Sequence, residues 1–326
     1  MKSEDIFWKI GETTIGATLT LPDEPGKSVG IVFVAGSGPT DRNWESPLLP
    51  GNNGSARLLA ERLTAEGYVT LRYDKRVTGS YAKDNMAHLA GKISMESHFE
   101  ELKSAVSQLI DRPELAPESI YVLTNSEGAL HALYYQTHAN VLPFSGMILT
   151  GAPGRPLSHV ANHQVFTQAK ALPNADDVIA RYKKLIASFE AGKPFVADPN
   201  LPEGFNNMVA ALSAPFNQPF TREFWAFKPA PYFRNLDVPV LVVIGKKDLQ
   251  CDWKLDGEAL EKEAEVNENV EFFYPDNANH VLKFEPTPRE QLTMADAVKN
   301  YNLPEAKLDP ETVSTIISWL NLQVAR

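Results

Sequence analysis

Short apolar runs alternate along the chain with segments whose apolar residues return at helical spacing. Thr13–Leu21 (TTIGATLTL) and Val29–Val34 (VGIVFV) predict strands, parted by the Pro/Gly turn stretch Pro22–Lys27. A helical pattern over Ala56–Glu66, carrying Leu58, Leu59, Leu63 and Ala65, leads into a strand at Tyr68–Tyr73. Met95–Asp111 places Phe99, Leu102, Val106, Leu109 and Ile110 on one helical face and stops at Arg112–Pro113. Strand Ser119–Leu123, a helix from Gly128 to about His138, and strand Gly146–Thr150 follow. Strand Val238–Ile244, helix Gly257–Ala264, strand Val270–Tyr274 and helix Pro310–Leu322 close the series. Continuous apolar strands between helices predict an α/β fold with a mostly parallel central sheet covered by helices on both faces.

Leu157–Asp237 breaks the rhythm, being far longer than an ordinary connection between core strands. Ala175–Glu190 is helical by pattern, and Phe216–Phe233 is rich in aromatics and prolines. The interval is bounded by strands of one sheet, which predicts an inserted, mainly helical cap at 157–237 on a core of 1–156 and 238–326.

Composition narrows the function classes. With 31 basic and 41 acidic side chains the net charge is −10, which disfavours a nucleic-acid binder that must neutralise phosphates. No apolar run approaches the ~18 residues of a membrane span, and Met1–Ile10 alternates charged and apolar residues without a signal-peptide core. A single cysteine, Cys251, precludes an internal disulfide framework or a multi-cysteine metal site and is expected to be buried. The expectation from composition is a soluble, cytoplasmic, cofactor-poor protein; a homodimer is the default assembly because symmetric dimers are common.

Three places carry chemistry, each at a strand's carboxyl end. In Ile120–Gly128 (IYVLTNSEG) a strand runs through Asn125-Ser126-Glu127-Gly128 into a helix. This resembles a nucleophile elbow, in which a strained turn lifts a serine hydroxyl out of the sheet. Ser-x-Gly taken alone more often marks a helix N-cap, and Thr124 stands where the first small residue is usual. In Val238–Trp253 (VPVLVVIGKKDLQCDW) a buried strand ends at Gly245, with Asp248 three positions on. Gly245-x-x-Asp248 resembles the turn that delivers a triad acid after a late strand; Asp252 is its rival and Asp256 a weaker one, better suited to capping a helix. An isolated aspartate after a strand also commonly bonds its own turn. In Val270–Leu282 (VEFFYPDNANHVL) a strand ends in a polar loop that carries His280. His88, His98, His131, His138, His159 and His163 fall on helices, in the cap or in a loop, where packing or solvation is the commoner role. Ser126, Asp248 and His280 stand in the chain order Ser…Asp…His.

The roles follow from charge movement. A serine hydroxyl needs a base to take its proton during attack, a histidine titrates close enough to neutrality to do so, and a carboxylate holds the imidazole's tautomer. The oxyanion needs preorganised donors. One candidate is the amide of Glu127, directly after the serine. The other comes from the loop after the third strand, which resembles a His-Gly-x oxyanion loop with Ala35 at the histidine and so points to the Ser37 amide. Ser37 lies in Ala35–Asn43 (AGSGPTDRN), where Gly36 and Gly38 permit close backbone approach. Gly-x-Gly here also invites a dinucleotide-loop reading, but Pro39 and the missing third glycine oppose it. Trp44, Phe224, Trp225 and Phe227 are candidate pocket-lining aromatics, or simply core in the case of the cap residues. The segment Ser94–Phe99 and the loop Thr78–Ala90 are placed to reach the mouth of the site.

Gly36–Arg42 (GSGPTDR) and Arg72–Arg76 (RYDKR) resemble a bacterial carboxylesterase branch of the α/β-hydrolases, close to the serine-aminopeptidase-like hydrolases. The resemblance runs from about residue 13 to the final helix. Val77-Thr78-Gly79-Ser80 departs from the branch's Arg-Gly-x-Gly-x-Ser continuation, and Ala35 replaces the histidine of its His-Gly-x oxyanion loop. The resemblance implies an α/β-hydrolase fold and hydrolysis of small to medium acyl esters through an acyl-enzyme, with no metal and no organic cofactor and a small-molecule ester as partner. The net charge and the short apolar runs already speak against nucleic acid and membrane. Serine aminopeptidase and thioesterase chemistry use the same groups, and a non-catalytic binding protein of the same fold is the remoter alternative. Asp41, Arg42, Asp74 and Arg76 are expected to form a charge cluster bracing the oxyanion loop.

Overall fold

The first residues pair as an antiparallel hairpin, β1 (Lys2–Ile10) with β2 (Thr13–Leu21), turned at Gly11 with a φ of 57°. The charged/apolar alternation of Met1–Ile10 is thus the period of a half-exposed edge strand. The computed structural model describes residues 1–24, 27–112, 117–138 and 141–325; Pro25 and Gly26 of the expected first turn and the helix stop Pro113 lie outside it.

The remaining elements follow in the expected alternation. They begin with β3 (Val29–Val34), α1 (Ser55–Ala65), β4 (Val69–Tyr73), α2 (Ala82–Leu89), α3 (Met95–Ile110), β5 (Ser119–Asn125), α4 (Glu127–Gln136) and β6 (Gly146–Thr150). Then come α5 (Leu157–Ala169), α6 (Ala175–Glu190), α7 (Glu203–Ser213) and α8 (Phe220–Ala226). The chain closes with β7 (Val240–Val243), α9 (Leu255–Ala264), β8 (Val270–Phe273), α10 (Met294–Lys299) and α11 (Pro310–Val324). The eight strands are ordered β1-β2-β4-β3-β5-β6-β7-β8, with β3 to β8 mutually parallel. This is an α/β-hydrolase fold.

Helices cover both faces of the sheet, as continuous apolar strands require. Ile31, Phe33, Leu123, Ile148 and Leu241 point to one face, where they pack with Leu59 and Leu63 of α1 and Ile316 and Leu320 of α11. On the other face the Gly30 Cα lies so close to α3 that a Cβ there would stand 2.9 Å from Leu109 and 3.0 Å from Ile120. Parallel neighbours β6 and β7 are separated in sequence by α5 to α8.

Two compact units result: Met1–His88, His98–Arg155 and Pro229–Arg326 form the first, Leu89–Ser97 and Pro156–Lys228 the second. Residues 229–237, grouped with the cap by the sequence pattern, belong to the first unit. There a 3₁₀ turn, Ala230–Asn235, is tied down by Asn267 Nδ2 donating to the Phe233 and Leu236 carbonyls. Residues 89–97, read as approach loop and helix start, belong to the second unit. There the Phe220 amide donates to Ile93 O at 2.8 Å and the Met95 amide to Glu223 at 2.7 Å. That unit has its own core of Val165, Val178, Tyr182, Ile186, Phe189, Val209 and Trp225. Among the described residues no helix is long and apolar enough to cross a membrane.

Candidate active site

Because β3 to β8 are parallel, their carboxyl ends share one edge of the sheet, and the sequence's chemistry-bearing loops all emerge there. The elbow is built by close approach. A Cβ on Gly128 would stand 2.5 Å from the Val34 carbonyl, so only glycine lets α4 start against β3. Ser126 itself adopts φ 54°, ψ −121°, a strained region for a residue with a side chain, and its hydroxyl makes no helix-cap bond. The N-cap bond is therefore unmade, and Ser126 lines the adjoining cavity. Thr124 is fully buried in β5, and the Ser126 amide is pinned to Thr150 O of β6 at 2.9 Å.

His280 Nδ1 lies 2.8 Å from Asp248 Oδ2, both buried. The other oxygen, Asp248 Oδ1, accepts the amides of Gln250 at 2.7 Å and Cys251 at 3.0 Å. The rival acids are committed elsewhere: Asp252 pairs with Arg289 at 2.7 Å, and Asp256 receives Arg155 through Nε and Nη2. His280 is fixed by its loop, in which Asn279 Oδ1 accepts the Val281 and Lys283 amides. Asn125, the residue before Ser126, donates from Nδ2 to His280 O at 2.8 Å. Gly151, with φ 53°, leaves room for the imidazole: a Cβ there would meet Nδ1 at 3.0 Å. Neither Asn125 nor Gly151 was singled out for a role in the sequence, since nothing in it reveals the partner loop.

Ser126 and His280 open onto a cavity of about 290 Å³ lined also by Ser37, Trp44, Leu48, Val281 and Val298. Its Tyr301 hydroxyl has its pKa raised by burial and by the Asp248 carboxylate. Trp44 sits at φ 62°, its ring 6.1 Å from Phe33. Phe224 and Phe227 are half-buried in the second unit. Trp225 is buried in that unit's core, edge-on to Phe189 with its indole nitrogen bonded to Glu190, so its surroundings are those of a packing residue.

Gly36 presses on the elbow, where a Cβ would meet Ser126 Cβ and Asn125 Oδ1 at 3.2 Å, while Gly38 takes φ 72°. The expected charge cluster divides into separate parts. Arg42 grips Asp74 through Nε at 3.0 Å, Nη2 at 2.8 Å and its amide at 2.7 Å. Arg76 turns instead to Glu101 at 2.8 Å. Asp41 caps its own turn, accepting the Asn43 and Glu45 amides; burial outweighs those bonds and raises its pKa to about 6. Gly79, in the stretch departing from the family motif, packs where a Cβ would strike the Asp74 carboxylate. The segment Thr78–Ala90 carries helix α2 rather than running as a loop.

Asp248, Cys251 and His280 bring three donor atoms within 4.8 Å. They suit hydrogen bonding better than a cation. Both Asp248 oxygens are already engaged, and burial with the neighbouring Asp248 and Asp256 carboxylates pushes the Cys251 thiol's pKa well up, keeping it neutral.

At the carboxyl edge of the parallel sheet, a strained serine at a strand-to-helix turn thus shares a cavity with the histidine of a buried Asp–His pair. A model of the alpha/beta hydrolase family matches residues 31–292, and the chain belongs to that family. No curated protein matches the chain. Among solved structures it is similar to an esterase of Pyrococcus furiosus, with 17% identity, coverage of 99% of this chain and 93% of that one, and a TM-score of 0.58. It is similar too to a proline iminopeptidase of Mycobacterium smegmatis, at 12% identity, 99% coverage of both chains and a TM-score of 0.58. A thermostable carboxyl esterase from Bacillus coagulans has 15% identity, 99% coverage of both and a TM-score of 0.57. At these identities the likeness concerns the fold.

Proposed function

We propose that the protein is a serine carboxylesterase acting on small to medium acyl esters. The observation that carries this reading is the buried Asp248–His280 pair at 2.8 Å on the cavity that Ser126 enters from a strained turn. Ser126 Oγ attacks the ester carbonyl while His280 takes its proton. Asp248 keeps Nδ1 protonated and stabilises the imidazolium. The amides of Ser37 and Glu127 hold the oxyanion. Collapse expels the alcohol, which leaves with the proton from His280. Water then attacks the acyl-serine with His280 again as base; the proton passes from His280 to the departing Ser126 Oγ, which releases the carboxylic acid and restores the free enzyme. Leu48, Val281, Val298 and Trp44 provide apolar walls, and a volume near 290 Å³ favours a compact acyl group.

A fluorophosphonate probe should label the wild type and leave Ser126→Ala unlabelled. Nitrophenyl esters of rising acyl length should be turned over faster than aminoacyl amides or thioesters. Absence of wild-type labelling sinks the hydrolase reading; preference for amides or thioesters reassigns the substrate to a peptidase or thioesterase.

A further inference from the structure

Behind the elbow lies a continuous buried series of ionisable side chains that the triad does not use. Arg76 Nε meets Glu101 Oε1 at 2.8 Å, and Glu101 Oε2 meets His98 Nδ1 at 2.8 Å. The His98 and His131 rings lie 4.7 Å apart, and His131 Nε2 is 3.1 Å from Glu127 Oε1. The series ends at Lys75, whose Nζ donates to Glu127 Oε1 at 2.8 Å and to the Gly36 carbonyl at 2.7 Å. Lys75 and Glu127 are both at most 4% exposed.

The second of those Lys75 bonds has a directional consequence. The Gly36 carbonyl and the Ser37 N–H belong to one planar trans peptide and point opposite ways. An ammonium fixed on the oxygen therefore sets the rotation of that plane. It also draws electron density from the N–H, which strengthens it as a donor. The same ammonium holds the side chain of Glu127, whose own amide is the second proposed oxyanion donor. A purely structural ion pair would need only Glu127; the Gly36 bond extends the charge to the oxyanion loop.

We propose that Lys75 is the positioning residue of the oxyanion hole, one buried cation that orients the Gly36–Ser37 peptide and ties it to the residue after the nucleophile. This inference rests on the ester-hydrolase reading above. Glu127 supplies the compensating charge that a buried lysine requires. Burial would raise the Glu127 carboxyl, but the Lys75 charge and the bond to His131 outweigh it and hold it well below its usual range.

The test compares wild type, Lys75→Met and the charge-balanced double variant Lys75→Met/Glu127→Gln. Competent sites are counted by endpoint fluorophosphonate labelling, so every rate is expressed per labelled serine. Outright removal of an oxyanion donor costs about 10²–10³ in kcat, so loss of the residue that orients one should cost roughly 10- to 100-fold. Per-site kcat should fall by that factor in both variants, with KM within about threefold of wild type. Inhibition by a trifluoromethyl ketone, which forms an oxyanion on Ser126, should weaken in step with kcat. The double variant should regain thermal stability relative to Lys75→Met without regaining rate. If Lys75→Met does not fold, the double variant carries the comparison. Wild-type per-site kcat and ketone affinity in the double variant would overturn the proposal while leaving the esterase reading intact. A wild type inert to the phosphonate would overturn both.

Discussion

At the scale of single residues, the site turns on which carboxylate faces the imidazole. Asp248, Asp252 and Asp256 lie within one short segment, yet only Asp248 reaches His280, while the other two are neutralised by Arg289 and Arg155. Asp248→Asn should lower kcat by about 10³- to 10⁴-fold, through loss of the tautomer that presents Nε2 to serine. Asp252→Asn should change it less than about threefold, since that residue's bond is to a partly exposed arginine. Steady-state kinetics on one ester decides the matter, and the opposite order would reassign the acid. The register of Asp248 after Gly245 was readable in the chain because a turn length is local. The role of Lys75 was not. It sits in the RYDKR stretch among other charges, and its only distinction is its partners, Gly36 and Glu127, which are remote in sequence.

Secondary elements were legible wherever the apolar period matched burial. The parallel strands and helices α1, α3, α4, α6, α9 and α11 agree with the pattern to within a few residues at their ends. Strand β1 and helices α2, α5, α7, α8 and α10 were not individually recognised; β1 and α2, being half-exposed, carry little apolar contrast. The elbow depends on the meeting of two elements at Gly128. Gly128→Ala should destabilise the protein by about 1–3 kcal/mol, since the new methyl group would press on the β3 backbone at Val34. The same strain should displace Ser126 and lower turnover. Gly204→Ala in α7, where nothing lies within 4 Å of the new Cβ, should leave both unchanged or raise stability slightly. Thermal melts with parallel esterase assays separate these outcomes; equal behaviour of the two variants would remove the packing explanation.

Across the whole molecule, the buried ionisable series couples stability to pH. Burial, opposed by the bond to Glu127, lowers the His131 pKa from 6.5 to about 4. In the unfolded chain the same histidine takes up a proton near its ordinary pKa. The stability it contributes is therefore present above about pH 6.5 and lost as pH falls toward 4. Moving from pH 7 to pH 5 should cost about 2 kcal/mol through this group. Glu101, held at about 2 by His98 and Arg76 against the opposing effect of burial, adds a further loss only below about pH 4.5. Urea melts at pH 7 and pH 5 should show the decline, and His131→Gln should flatten it; an unchanged slope in that variant would place the pH sensitivity elsewhere. What the sequence by itself determined is everything carried by local period and spacing: the alternating sheet and helices, the insertion between β6 and β7, and the chain order Ser126, Asp248, His280. Only the tertiary structure decided which charges meet and which glycines touch backbone. It is also what drew residues 89–97 into the second unit and returned 229–237 to the first. The reason is physical: periodicity records the burial of each element, whereas partner choice among buried charges depends on contacts between segments distant in sequence, which no local pattern encodes.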